Sequence, residues 1–233
     1  MNSFERTILA LGETAFQRLQ EVNIILFGVG GVGGWCAEAL VRTGVKHLTI
    51  VDFDVINPSN INRQLVATTA NIGKTKVDEL RERLLLINPE ATITALPLRY
   101  PCATLDKLDF NQFDYVIDAI DSVADKALLL TRAAQSSAKV FSSMGACRKI
   151  DTSAIRVSAF NKVEGCPLAR ALRHTLKKMA NDQPQTNYKS PITNIKCVWS
   201  PELSSSAGTI APVVGVFGFT LADLVIKDIV QKL

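Results

Sequence analysis

Acids, amides and cations are concentrated between positions 52 and 76 of the chain. The residues are Asp52, Asp54, Asn60, Asn62, Arg63, Gln64 and Lys76. The guanidinium of Arg63 and the ammonium of Lys76 suit the outer phosphates of a triphosphate, because both donate charge-assisted hydrogen bonds to phosphate oxygens. Asp52 could accept hydrogen bonds from ribose hydroxyls. This segment therefore predicts a site for a nucleoside triphosphate.

A glycine-rich stretch, GVGGVG (28–33), precedes these residues and fits the GxGxxG pattern through Gly28, Gly30 and Gly33. Glycines at these positions allow a tight turn and a close approach of the backbone to phosphate, and unpaired N–H groups at the following helix start face the anion. The pattern is common to dinucleotide and mononucleotide sites. NAD carries only the pyrophosphate that this turn already binds, so the additional Arg63 and Lys76 favour ATP.

Two aspartates, Asp118 and Asp121, end the apolar run VIDAID. Ligands of open α/β sheets bind at the carboxyl ends of the strands, so these carboxylates are expected beside the phosphates. A carboxylate there could hold Mg²⁺ that bridges phosphate oxygens. The alternative is that both aspartates cap the next helix and that Arg63 and Lys76 are ordinary surface charges.

Apolar runs alternate with segments of helical spacing in the first half of the chain. Strands are predicted at 22–27, 47–52, 91–96, 113–121 and 139–145, helices at 4–20, 31–44, 74–89 and 122–137, and a long polar loop at 53–72. This order predicts an α/β fold with a Rossmann-like, doubly wound, mainly parallel sheet.

The pattern becomes looser after residue 145 and predicts a less regular C-terminal extension of the same domain. Strands are predicted at 154–160 and 195–200, a basic helix at 165–179, a polar loop at 181–194 and a buried or interface helix within 207–226. No linker demands a second domain. One domain is therefore predicted over 1–233, with 1–145 as its ATP-binding half.

Cysteine, histidine and charge usage narrow the function. The five cysteines include no CxxC pair and only two histidines occur, which disfavours zinc and histidine-centred hydrolysis. The start lacks the pattern of a secretion signal, and the charge-free stretch 207–222 is too short for a bilayer span, so a cytoplasmic protein without membrane insertion is expected.

Residues 139–199 hold 11 Lys and Arg against 3 Asp and Glu. This basic block suits a phosphate-rich partner, or else is a solvated face.

The combined motifs resemble the ThiF/MoeB superfamily, the adenylating enzymes related to ubiquitin-activating enzyme. The matching stretches are, in order, GVGGVG (28–33), VDFD (51–54), SNINRQ (59–64), GKTK (73–76) and DAID (118–121). The resemblance implies ATP contacts from Gly28, Gly30, Gly31, Gly33, Asp52, Asp54, Asn60, Arg63, Gln64, Lys76 and Asp121. Arg63, Lys76 and Asp121 would be catalytic, with Asp121 holding Mg²⁺. A homodimer is also implied, in which Arg6 reaches the ATP of the partner subunit and residues 146–233 form the half for substrate binding and dimerisation.

Within the superfamily, SSMGA, the PLARALR helix and VWSPE are similar to the tRNA threonylcarbamoyladenosine dehydratase group. That group uses ATP to convert threonylcarbamoyladenosine beside the tRNA anticodon into its cyclic form. The similarity implies tRNA as a partner, and the candidate contacts in the basic block are Arg148, Lys149, Arg170, Arg173, Lys177 and Lys178. A monovalent cation and a sulfur-relay protein are further candidates. Cys147 and Cys166 stand where the group usually has glycine and aspartate, so no cysteine is assigned a catalytic role.

Three other functions stay open at this stage. The first is adenylation of the C-terminal glycine of a sulfur-carrier protein, which the missing CxxC pairs and the basic block disfavour. The second is NAD-dependent oxidoreduction, which the Arg63 and Lys76 pair disfavours. The third is a non-catalytic nucleotide-binding scaffold, which would bind ATP without releasing AMP.

Overall fold

Helices and strands alternate along the part of the chain that this computed structural model describes, residues 3–232 except 104, 106, 107, 183–191 and 206. The helices are α1 (Glu5–Leu11), α2 (Glu13–Glu21), α3 (Gly33–Thr43), α4 (Lys76–Ile87), α5 (Val123–Ala133), α6 (Pro167–Asp182) and α7 (Ala211–Gln231). The strands are β1 (Asn23–Phe27), β2 (His47–Val51), β3 (Thr92–Leu96), β4 (Tyr115–Asp118), β5 (Lys139–Ser143), β6 (Arg156–Ala159) and β7 (Lys196–Trp199).

These strands form one sheet in the order β3-β2-β1-β4-β5-β7-β6. Neighbouring strands are parallel, except that β6 is antiparallel to β7. The predicted Rossmann-like, doubly wound, mainly parallel sheet is thereby confirmed. The strands β6 and β7, from the second half of the chain, extend the sheet of the first half. The functional division at residue 145 remains a prediction.

Strand β1 is buried on both faces, which is why its sequence is a nearly uninterrupted apolar run. Ile24 and Leu26 belong to an apolar cluster with α3, α4 and α7, and Ile25 and Phe27 belong to a second cluster with α5 and α6. Helices therefore cover both faces of the sheet. The apolar segment predicted within 207–226 is the buried helix α7, and none of the described helices has the length and apolar character that crossing a membrane requires.

The single helix predicted at 4–20 is wrong in one respect, because the structure divides it into α1 and α2. Gly12 lies between them with a φ of 86°, which a continuing right-handed helix does not allow. Arg6 is exposed on α1. The polar loop predicted at 181–194 lies mostly outside the described residues.

The position of the strand ends creates the site. In the sheet, β1 pairs with β2 on one side and with β4 on the other, and Phe27 lies opposite both Val51 and Asp118. The chain continues from β1 toward β2 and from β4 toward β5, in opposite directions across the sheet. A crevice opens where the order reverses, outside the carboxyl ends of β1 and β4.

Candidate active site

A cleft of about 1240 Å³ occupies this crevice. It is lined by ten of the predicted ATP contacts, namely Gly28, Gly30, Gly31, Asp52, Asp54, Asn60, Arg63, Gln64, Lys76 and Asp121. Two of the predicted contacts are not among its lining residues, Gly33 and Arg6. Residues separated by 93 positions in sequence, from Gly28 to Asp121, thus contribute to one cleft.

Gly33 acts behind the cleft, through packing. A Cβ at this position would lie 1.8 Å from the carbonyl oxygen of Gly28, closer than any non-bonded contact allows. Glycine at 33 therefore lets the first turn of α3 pack against the turn that begins at Gly28.

Asp52 connects the glycine turn with the loop that follows β2. Its Oδ2 accepts a hydrogen bond from the backbone N–H of Val29 at 2.8 Å, and its Oδ1 accepts one from the N–H of Asp54 at 2.9 Å. Burial raises the pKa of this carboxyl, while the two backbone hydrogen bonds and Lys76 act in the opposite direction. Each oxygen keeps a second lone pair for a ribose hydroxyl.

Lys76 is the first residue of α4 and is buried. Its Nζ donates to Oδ2 of Asp54 at 2.6 Å, and its backbone N–H donates to the carbonyl of Asp54 at 3.1 Å. The side chain of Asp54 is 46% exposed, against 5% for Lys76. The ion pair therefore fixes a buried ammonium on the cleft wall and leaves the acid partly open to solvent.

Arg63 is fixed by its own loop. Its Nη1 donates to the carbonyl of Ser59 at 2.7 Å and to Oδ1 of Asn62 at 2.9 Å. The loop itself is held by Asn60, whose Oδ1 accepts a hydrogen bond from the N–H of Asn57 at 3.1 Å. These contacts hold a guanidinium in the cleft lining.

Gln64 presents an unsatisfied polar atom. The residue is buried, and its Oε1 has no hydrogen-bond partner among the described residues. A buried acceptor without a partner is uncommon in native proteins, and here it lies on the wall of an open cleft. A donor from a bound molecule, such as a nucleotide hydroxyl or amino group, would satisfy it.

The two aspartates after β4 have different surroundings. Asp118 is fully buried, with Oδ2 2.6 Å from Nζ of Lys126 and accepting from Oγ of Ser142 at 2.6 Å, and with Oδ1 accepting from the N–H of Ile120 at 3.0 Å. Asp121 is exposed and lines the cleft. Only Asp121 of this pair is free to meet a metal ion, and the structural role of Asp118 beside Lys126 was not predicted.

The sequence also gave no indication of Arg99 and Asp125 in the cleft lining. Nη2 of Arg99 lies 3.1 Å from Oδ2 of Asp125, and the guanidinium lies 5.4 Å from the centre of the Phe53 ring. The signal that could have found Arg99 is its position three residues beyond β3, at the same edge of the sheet.

A further part of the lining comes from residues between 143 and 214, and we call it the distal wall. It comprises Ser143, Met144, Gly145, Ala146, Cys147, Arg148, Pro167, Leu168, Ala171, Leu203, Ala207, Gly208, Thr209 and Val214. Cys147 is exposed there, and its Sγ donates to the carbonyl of Ala207 at 3.0 Å. Cys166 and Cys197 are buried, and burial raises the pKa of the Cys197 thiol to about 12.

The structure contradicts Lys149 as a surface contact for tRNA, whereas Arg173 is half-buried and its contact with tRNA remains a prediction. Lys149 is 1% exposed, and its Nζ donates to the carbonyls of Ser200 at 2.9 Å and Glu202 at 2.5 Å, while burial lowers its pKa. Arg173 donates from Nη2 to the carbonyls of Phe160 and Val163. Both cations hold together segments of the fold, so their charges are engaged within the chain.

The other predicted tRNA contacts are exposed. Arg170, Lys177 and Lys178 lie on the solvent side of α6, whose opposite face buries Ala169 and Leu172. Arg148 is exposed at the cleft. These side chains can reach a partner, and their contact with tRNA remains a prediction.

Comparison with known proteins assigns the chain to a family. Residues 4–232 match the ThiF family. The chain belongs to the ThiF family. Among its ThiF-family relatives, it is 35% identical over 178 residues to the tRNA threonylcarbamoyladenosine dehydratase of Bacillus subtilis, a match that covers 76% of this chain and 70% of the relative. It is 34% identical over 212 residues to the dehydratase of Haemophilus influenzae, covering 89% of this chain and 81% of the relative.

The fold of a solved dehydratase is similar to that of this chain over nearly its whole length. The crystal structure of Escherichia coli tRNA N6-threonylcarbamoyladenosine dehydratase in complex with ATP superposes with a TM-score of 0.87 at 32% identity, covering 99% of this chain and 94% of the other. The resemblance of the sequence motifs to the ThiF superfamily is therefore confirmed over the whole chain and not only its first 145 residues.

Proposed function

We propose that this chain is an ATP-dependent tRNA threonylcarbamoyladenosine dehydratase. It adenylates the carboxylate of the modified base and closes a ring, with release of AMP and pyrophosphate. The proposal depends on the convergence of Arg63, Lys76 and Asp121 on one cleft, in a chain similar over nearly its whole length to a dehydratase solved with ATP.

Adenylation solves the problem of the leaving group. A carboxylate oxygen attacks the α-phosphorus of ATP, and the bond to pyrophosphate breaks. The neighbouring carbamoyl group then attacks the acyl carbon, and the bond to AMP breaks, so the oxygen lost from the carboxylate leaves on AMP and a proton goes to solvent. The protein contributes orientation and charge stabilisation, which are its main contributions in phosphoryl transfer.

The side chains divide this work between them. Lys76, held by Asp54, and Arg63, held by Ser59, withdraw charge toward the departing pyrophosphate. Asp52 accepts from the ribose hydroxyls, and the glycine turn approaches the phosphates. Because these groups are already fixed by protein contacts, little reorganisation is needed when charge develops.

Mg²⁺ fits this donor set through Asp121. The described residues contain no group of three or more acidic, histidine or cysteine side chains that could hold a metal alone. Mg²⁺ is commonly bound by one or two carboxylates together with substrate phosphates, and one exposed aspartate on a phosphate cleft is consistent with this mode of coordination. When bound, the ion would neutralise phosphate charge, with Asp121 holding it.

A homodimer completes the proposal. Arg6 is exposed on α1, a helix with no buried residue and with Leu9 79% exposed, so this face is open to a second copy of the chain. Arg6 would then reach the ATP of the partner subunit.

Inactive Arg6→Ala and Lys76→Ala chains should regain activity when mixed, because each heterodimer contains one site with both residues intact. Mixtures that stay inactive would place Arg6 in its own subunit's site, and an Arg6→Ala chain that is active by itself would place Arg6 outside catalysis.

The decisive experiment follows the nucleoside. Modified tRNA is incubated with the purified protein, ATP and Mg²⁺, digested, and examined by mass spectrometry, and AMP and pyrophosphate are quantified. We expect threonylcarbamoyladenosine to lose one water, with one AMP formed for each product. An unchanged nucleoside, together with ATP–pyrophosphate exchange that responds to a carrier peptide ending in glycine, would instead favour the sulfur-carrier reaction.

A further inference from the structure

The distal wall differs chemically from the rest of the cleft. The nucleotide motifs supply Asp52, Asp54, Arg63, Lys76 and Asp121, whereas the distal wall consists of small or apolar side chains with few polar groups. Arg148 is its one charged residue among those that the structure describes. A molecule that lies against this wall therefore meets apolar surface and a single guanidinium.

Arg148 is held in place by backbone contacts. Its N–H donates to the carbonyl of Gly208 and its own carbonyl accepts from the N–H of Ser204, both at 2.9 Å. Its Nε donates to the carbonyl of Ser204, also at 2.9 Å. The residue has a φ of 64°, a left-handed conformation that only this non-glycine residue adopts in the described part of the chain. Such conformations persist where surrounding contacts enforce them, and they occur often at functional sites.

The end of the guanidinium remains available. Nε is the only nitrogen of the Arg148 side chain with a hydrogen bond to a described residue, and the side chain forms no salt bridge with a described acid. The two terminal nitrogens form a planar fork that matches a carboxylate in a bidentate pair. Arg148 thus offers a fixed, unneutralised cation at the edge of the cleft.

We infer that Arg148 binds the carboxylate of the modified base and aligns it with the α-phosphorus of ATP, an inference that rests on the proposed function. The outer phosphates already have two cations of their own in the lining, Arg63 and Lys76. The attacking carboxylate is a second anion entering a cleft that holds a polyanion, so it needs a cation of its own to approach. The apolar surface around Arg148 suits the purine that carries this carboxylate. Orientation of the two reactants is the contribution expected of such a residue.

The Arg148→Gly variant tests the inference without a conformational penalty, because glycine adopts a φ of 64° freely. The matched control is Lys162→Ala, which removes an exposed positive charge of the same basic block away from the cleft lining. We expect Arg148→Gly to raise the KM for modified tRNA about ten- to a hundredfold, the loss typical of a charged hydrogen-bonded pair. The KM for ATP should stay within about twofold, and the melting temperature should not fall. The control should change none of these values.

Binding of the free nucleoside distinguishes recognition of the carboxylate from recognition of the phosphates of tRNA. Threonylcarbamoyladenosine nucleoside and its methyl ester carry no phosphate and differ in one negative charge. The unaltered protein, saturated with a non-hydrolysable ATP analogue, should bind the acid about tenfold more tightly than the ester, and Arg148→Gly should lose this preference. Equal binding of acid and ester by the unaltered protein would overturn the inference.

The other outcomes are equally distinct. If Arg148→Gly weakens unmodified and modified tRNA by the same factor, Arg148 contacts the tRNA backbone and the inference is wrong. A rise in the KM for ATP alone would place Arg148 at the nucleotide, which also overturns it. If the unaltered protein forms no cyclic product but prefers the acid through Arg148, the proposed function fails while the carboxylate site stands.

Discussion

At the scale of single residues, the ion pair of Asp118 and Lys126 is a buried charge pair next to the site. Both side chains are fully buried, and Nζ of Lys126 also donates to the carbonyl of Ile120 at 2.8 Å. Ile120 lines the cleft directly before Asp121. The pair therefore connects a buried charge network to the segment that presents the proposed metal-binding aspartate.

Replacement of Lys126 by methionine should be costly for this reason. The variant leaves the Asp118 carboxylate buried without its cation, and breaking such a pair typically costs about 3–5 kcal/mol of unfolding free energy. Urea denaturation followed by circular dichroism measures the change. Lys196→Met, on an exposed position of β7, is the control and should lie within about 0.5 kcal/mol of the unaltered protein. A Lys126→Met protein as stable as this control would contradict the account.

At the scale of elements, the start of α3 determines whether the nucleotide turn can form. Gly33→Ala places a methyl group on the carbonyl of Gly28, whereas at Gly34 the nearest atom to an added Cβ is 3.5 Å away, an ordinary contact. We expect Gly33→Ala to lower the melting temperature and to weaken ATP binding at least tenfold by calorimetry. Gly34→Ala should retain both properties. Equal behaviour of the two variants would show that packing at Gly33 does not shape the turn.

The contact between α3 and α4 gives a pH-dependent prediction. Glu38 on α3 is buried, which by itself raises its pKa, but hydrogen bonds from Arg83 on α4 and from Arg42 outweigh burial and leave the pKa below its ordinary value of 4.5. A lowered pKa in the folded state means that the ionised carboxylate stabilises the fold above the ordinary pKa. This contribution is lost as the pH falls through the folded-state pKa.

The variant Glu38→Gln should therefore be less stable than the unaltered protein at pH 7, by roughly 1 kcal/mol because Arg83 and Arg42 are about half exposed. The difference should shrink as the pH falls below 4.5. Urea unfolding at a series of pH values measures it. A difference that stays constant across this range would exclude the ionised carboxylate as its source.

At the scale of the whole molecule, the exposed face of α6 is the proposed tRNA surface. Each phosphate contact contributes about one unit to the slope of log K against log salt, so Lys177→Ala should weaken tRNA binding and flatten that slope by about one unit. Lys227→Ala, an exposed lysine of α7 outside the basic block, is the control. Filter binding at several salt concentrations measures the slope, and equal slopes for the two variants would remove Lys177 from the interface. Arg173 is unsuitable for this test, because its substitution would disturb the fold.

The sequence by itself determined the sheet and ten of the residues that line the cleft. Strands of a parallel sheet are buried on both faces and therefore read as apolar runs, and the connections between them are restricted enough that the carboxyl ends of β1 and β4 must meet. The glycine turn, the 52–64 loop, Lys76 and Asp121 follow from local patterns that fix their place at this edge.

Only the tertiary structure decided what each charged side chain contacts. Asp118 and Asp121 are three residues apart, yet one is neutralised by Lys126 in the core and the other faces the cleft. Lys149 and Arg148 are adjacent, yet the first is buried on the carbonyls of residues 200 and 202, whereas the second is exposed and bonds the carbonyl of Ser204 through Nε alone among the described residues. For Asp118 the neutralising ammonium comes from the following helix, and for Lys149 the accepting carbonyls come from a segment some 50 residues away. Both differences depend on how the segments pack against one another, and no local spacing in the sequence carries that information.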